Sequence, residues 1–113
     1  MANGDQVSLI KKDNHEYITG HDYHYIEGNS DITIDGRHKV YINKSGAENN
    51  HYDIQIGAKA NINIQVDDGD VNLVTRTGKV NVNAGGDYNL KVGGNYTLTV
   101  DGSHAETIAG QRT

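Results

Sequence analysis

Apolar and polar residues alternate along this chain in short bursts of fixed length. From Gly94 the order is Asn95, Tyr96, Thr97, Leu98, Thr99, Val100, Asp101 and then Gly102. Residues two, four and six places after the glycine are apolar, and those between them are polar. A period of two puts each set on one face of an extended strand. Tyr, Leu, Val and Thr suit such a half-buried surface, and the Asp-Gly that follows favours a turn. Eight residues therefore predict one short strand and one corner. Glycine suits the turn because it accepts a positive φ without a Cβ penalty.

The unit recurs. Glycines stand at Gly20, Gly28 and Gly36, then at Gly78, Gly86, Gly94, Gly102 and Gly110, in steps of eight within each group. Ile10, Ile18, Ile26, Ile34 and Ile42 form one apolar ladder on the same beat. Val92, Val100 and Ile108 form a second, preceded by Ala84. An internal repeat of this kind decides the fold before any other feature is read. It divides the chain into an octad block at 1–42, a phase-shifted segment at 43–77 and a second octad block at 78–113. In the middle, Tyr52, Ile54, Ile56, Ala58, Ala60, Ile62, Ile64 and Val66 share one parity, whereas Val71 and Leu73 take the other. A tight loop or bulge near Asp67 to Asp70 accounts for the switch. The run KSGAENN, residues 44–50, reads as another loop.

A strand of about six residues spans roughly 20 Å and cannot bury its apolar face or pair its edges alone. Two arrangements satisfy it. A single chain can coil, three octads to a turn, or three chains can wind together, each supplying one face per level. At twenty-four residues per coil, 113 residues make fewer than five coils. The hydrophobic fraction is only 35%, with no Phe, Trp or Pro, which is lean for a self-contained core. Both points favour the second arrangement: an all-β, intertwined trimeric triple-stranded β-helix, a prism-shaped needle with an irregular middle.

The rows ITGHDYHYIEGNSDITIDG (18–36) and VGGNYTLTVDGSHAETIAG (92–110) resemble the triple-stranded β-helix at the C-terminal end of contractile-tail phage spike proteins. They are similar too to the valine-glycine repeat shafts of type VI secretion spikes. In that family a β-branched residue and a glycine recur two places apart every eight residues. The matching pairs here are Ile18/Gly20, Ile26/Gly28, Ile34/Gly36, Val92/Gly94, Val100/Gly102 and Ile108/Gly110. The resemblance implies a homotrimeric needle in the virion's tail baseplate, attached to hub proteins and to a tip protein, in transient contact with the bacterial outer membrane as it pierces it. In hub proteins a lysozyme domain often precedes the shaft. No counterpart is evident in this sequence, so peptidoglycan cleavage is not carried over. The break after Gln111-Arg112-Thr113, where another octad is due, reads as a shaft cut before its tip.

Charge and composition narrow the chemistry. With no cysteine there is no disulfide framework. The net charge is −5, with both signs interspersed, so neither a nucleic-acid footprint nor a polybasic lipid patch is expected. No apolar run reaches the length of a membrane span. Six histidines raise the question of a metal. His24, His38 and His104 sit on the apolar parity, with Glu106 two places after His104, and three-fold symmetry would multiply each inward histidine by three. In the spike family a His-x-His pair near the tip can hold an iron; this chain has His21-x-x-His24 instead. No cofactor is therefore assigned, and the bland alternative is a polar inner layer holding water or an axial ion. Asp67-Asp68-Gly69-Asp70 lacks a spaced calcium-ligand set and reads as a solvated turn. A repeating shaft offers faces and not a cleft for two positioned carboxylates, so the chain is not expected to be an enzyme. A receptor-binding fibre shaft is the alternative function, and a single-chain β-helix acting on carbohydrate is the third.

Overall fold

The computed structural model describes residues 4–113, which fall into two units, Met1–Ala60 and Asn61–Thr113. Both are built from extended segments separated by bends. In the first unit the backbone bends at 11–12, 19–20, 27–28 and 35–36, leaving extended segments at 13–18, 21–26 and 29–34. In the second it bends at 85–86, 93–94, 101–102 and 109–110, around segments 87–92, 95–100 and 103–108. Each of these segments is six residues long. A bend thus coincides with every glycine of the eight-residue beat. The first bend falls at Lys11-Lys12, where there is no glycine.

The corners do not use the left-handed conformation that glycine accepts. Among the described glycines only Gly46 has a positive φ, 79°. Gly20, Gly28, Gly36, Gly78, Gly86, Gly94, Gly102 and Gly110 all turn the chain without it, so the tolerance of positive φ that suits glycine to a turn is not used at these corners. The physical reason is the width of the bend. These corners redirect an extended chain without reversing it into a tight hairpin, so no residue is forced across to φ > 0.

Between the octad blocks the alternation continues but the segments lengthen. Residues 37–43 and 60–66 are seven-residue runs, and 50–57 is an eight-residue run. Turns stand at 44–45, 48–49 and 58–59, and three-residue bends at 67–69 and 76–78. The left-handed backbone is concentrated here, at Asn43 (φ 64°), Asn49 (φ 65°) and Lys59 (φ 63°). Asn visits this region because its short polar side chain can bond locally, whereas Lys has no such compensation. Asn43 shows the compensation directly. Its Nδ2 donates to the Ala47 carbonyl at 2.7 Å, its Oδ1 accepts from Asn50 Nδ2 at 3.0 Å, and its own carbonyl accepts from the Gly46 amide at 3.0 Å. One asparagine therefore pins the 43–50 loop.

That Gly46–Asn43 bond is the one turn or loop hydrogen bond between backbone groups among the described residues, and no segment there forms a paired strand. A folded chain of this length holds on the order of one internal hydrogen bond per residue. Nor is there a core: no described residue is buried. Within neither unit do two residues twelve or more positions apart approach within 8 Å at Cα. The chain exposes 13457 Å², against about 6,100 Å² expected of a folded monomer of this mass and about 17,800 Å² of an unfolded one. Local geometry is set while edges and faces stay open. No described helix is long and apolar enough to cross a membrane.

The loop supplies a direct test. Asn43→Ala removes the side-chain bonds and places a Cβ-bearing, non-polar residue at φ 64°, a cost of about 1–2 kcal/mol. Tryptic cleavage after Lys44 should then quicken by roughly five- to thirtyfold. Asn43→Gly, which keeps the backbone preference, should show a smaller rise.

Candidate functional site

The two hollows described below gather no cluster of reactive groups, and the candidate site is a face. In the six-residue segments of the two glycine-marked octad runs, 13–34 and 87–108, the large apolar residue immediately before the bend, two places before the glycine, is shielded relative to the other large apolar residues. Ile18 is 46% exposed beside Tyr17 at 92%, and Val100 is 44% exposed against Leu98 at 59%. The same ranking holds for Ile26 against Tyr25, Ile34 against Ile32, Ile42 against Tyr41 and Val92 against Leu90. Ile10 and Ile108 are shielded to a similar degree. Their lower exposure coincides with their place beside the bend.

The bend also fixes which face is concave. An open hollow of about 300 Å³ at the Gly85-Gly86 corner is lined by Val82, Ala84, Gly86 and Tyr88. All four belong to the ladder parity. The ladder side is thus the inner side of that corner, and Asn81, Asn83, Asp87 and Asn89 alternate on the other. A second open hollow, about 490 Å³, is lined by Lys39, Tyr41 and Lys44 at the loop. There Lys39 Nζ lies 5.8 Å from the centroid of the Tyr41 ring, within cation–π range.

Two shielded residues in the middle stand outside the two named ladders, Ile56 off the eight-residue beat and Val66 three octads after Ile42. Ile56 (44% exposed) and Val66 (47%) are as shielded as the octad ladder. Ile56 precedes the turn at 58–59 by two places, and Val66 immediately precedes the bend at 67–69. The missing signal is glycine: Ala58-Lys59 makes one corner and Asp67-Asp68-Gly69 the other. Their shared parity with Ile54 and Ile64 was the available clue.

Glycines serve two different needs. A Cβ placed on Gly69 would lie 3.3 Å from Val66 Cγ1, and one on Gly78 would lie 3.2 Å from Thr75 Oγ1. At these three-residue bends the chain itself disfavours a side chain. At Gly20, Gly28, Gly36, Gly86, Gly94, Gly102 and Gly110 a Cβ would meet nothing within 4 Å. Neither φ nor the chain's own atoms explain glycine at those seven corners.

Some polar members of the ladder parity are paired locally. His24 Nε2 lies 2.9 Å from Asp22 Oδ2, two places earlier on the same face. His104 Nε2 is 3.8 Å from Glu106 Oε2, and Arg112 Nε is 3.7 Å from Glu106 Oε1. His38 has no hydrogen-bond or ion-pair partner among the described residues. His24, His38 and His104 stand in separate segments, and no group of three histidine or carboxylate side chains among the described residues converges on a point that a metal could occupy. Gln65 Nε2 donates to Asp67 Oδ1 at 2.7 Å, which holds one carboxylate of the acidic turn against its own chain.

A measurable consequence follows from the corner glycines. Gly102→Val adds a side chain where this chain alone has room, so loss of assembly in that variant reports crowding by other molecules. Gly102→Val should lower the melting temperature of the assembled protein well below that of Thr99→Ser. Equal melting of the two variants would contradict a corner closed by neighbouring chains.

Comparison with known proteins bears on this face. The chain matches no curated protein and no solved structure. Residues 86–109 match the model of the Gp5 C-terminal repeat, in three copies. The match begins at one corner glycine and covers the segments ending in Val92, Val100 and Ile108. The most regular stretch of this chain is therefore similar to the Gp5 C-terminal repeat, the unit of the C-terminal triple-stranded β-helix of phage Gp5 spike proteins.

Proposed function

We propose that three copies of this chain wind in parallel into a stiff needle, the shaft of a phage-tail-type spike that pierces the outer membrane. The observation that carries the reading is the coincidence of three Gp5 C-terminal repeats with a chain whose apolar face and backbone groups lack partners of their own. Each extended segment supplies one face of a triangular section. Each corner passes the chain to the next face, so the strand stacked above belongs to a neighbouring chain and lies eight residues further on. Both edges of every segment are then paired, and the ladder residues fill the axis.

Such a shaft acts through its shape. Strands running across the axis carry hydrogen bonds along it at every level, and separating them requires all three chains to part at once. The apolar column is interrupted by polar residues of the same parity, among them Glu16, Asp22 and His24 in one block and His104 and Glu106 in the other. The trimer carries 3 × −5 = −15 charges, which opposes adhesion to anionic lipid surfaces and favours passage through them.

Light scattering tests the assembly. A mass of three times 12.3 kDa, about 37 kDa, is expected, and a monomer at micromolar concentration would contradict it. Binding to outer-membrane vesicles separates a puncturing shaft from a receptor-binding fibre. The needle should bind weakly and without saturation; tight saturable binding would assign the trimer to recognition.

A further inference from the structure

The octads raise a problem of alignment. Tyr88, Leu90 and Val92 are followed eight residues later by Tyr96, Leu98 and Val100. Three chains paired through such segments can slip by one octad and still meet Tyr with Tyr, Leu with Leu and Val with Val. A sheet with this degeneracy specifies its register weakly. Only the ends would report the error, through one unpaired segment each.

The middle of the chain removes the degeneracy. Between the bends at 35–36 and 85–86 no run of regular six-residue segments is sustained: the extended runs are seven, eight, seven, six and six residues long. The loop pinned by Asn43 occurs once, and left-handed backbone at Asn43, Gly46, Asn49 and Lys59 occurs nowhere else among the described residues. The three-residue bends at 67–69 and 76–78 are likewise confined to this stretch. A chain displaced by eight residues would lay its eight-residue segment 50–57 against shorter neighbours and bring its loop to a level where they run straight.

We infer that residues 43–78 are a register key, the element that makes three repetitive chains align in one way only. The inference rests on the three-chain reading. It gives the irregular segment a role that neither receptor binding nor mechanical stiffness requires of it. The loop, the long segments and the two crowded glycine bends then act together, because each forbids the same slip at a different level.

Register can be read with single thiols, since the chain has no cysteine of its own. In the aligned trimer the three copies of residue 97 lie on three different faces, beyond the reach of a disulfide. After a slip of one octad, residue 97 of the displaced chain stacks directly on residue 97 of a neighbour, about 4.8 Å away along the sheet. That is within the roughly 4.4–6.8 Å between Cα atoms that a disulfide spans. The full chain carrying Thr97→Cys should therefore give no disulfide-linked dimer on oxidation. The control carrying Thr97→Cys and Ala105→Cys should link, because residues eight apart on different chains are stacked in the correct register.

The decisive variant replaces residues 45–78 with four copies of Asn95–Gly102 in the Thr97→Cys background, so that octads run without interruption from Lys44 to Gly110. It should remain a trimer and now form disulfide-linked dimers in a substantial fraction of molecules. Absence of linkage in this variant, with a trimeric mass and a linking control, would overturn the inference. So would linkage in the unaltered middle. A control that fails to link in a trimer, or a monomeric mass in both proteins, would overturn the three-chain reading itself and the register key with it.

Discussion

Everything in this chain follows from the open edges of a six-residue strand. Such a segment exposes a row of N–H and C=O groups along each side and an apolar stripe on one face, and it is too short to satisfy either by itself. A bend that redirects the chain without reversing it, as at Gly94 and Gly102, carries the next segment away from its predecessor. Within each unit the described segments therefore do not return to one another over long sequence separations. The chain's 13457 Å² of exposed surface is the measure of that demand, about twice what a folded monomer of its mass leaves exposed. Interfaces of obligate assemblies bury roughly 2,000–5,000 Å² or more.

The corner glycines sharpen the point. In most folds a repeated glycine is explained by a left-handed backbone or by a close contact within the chain. Gly69 and Gly78 have the second explanation in their contacts with Val66 and Thr75. Gly86, Gly94 and Gly102 have neither. A requirement that the chain does not impose on itself is best sought in the atoms of its neighbours, and the match of residues 86–109 to a repeat of an intertwined spike accords with that source.

How far the sequence could be read depended on how each corner is made. Bends at 20, 28, 36, 86, 94, 102 and 110 coincide with a glycine beat that needs no structure to count. The conformation of those bends was not legible, because glycine permits positive φ without demanding it. The middle was harder. The corner at Lys59 is left-handed at a residue whose type gives no hint of it, and Ile56 and Val66, like Ile10 and Ile42, have no glycine two places on. The pairing around Asn43 joins residues up to seven apart through side chains, which the alternation pattern cannot express. The histidines His24, His38 and His104 share a parity in sequence, but that parity spreads them over separate segments.

The most direct test of the central claim, that other chains complete this one, is amide hydrogen exchange across residues 95–100 as a function of protein concentration. In the structure of the single chain these amides have no backbone partner. The account predicts strong protection in the assembled protein and its loss, together with the β-sheet signal, when dilution separates the chains. Protection that persists unchanged in a monomeric sample would contradict it, because the chain would then be pairing its strands with itself.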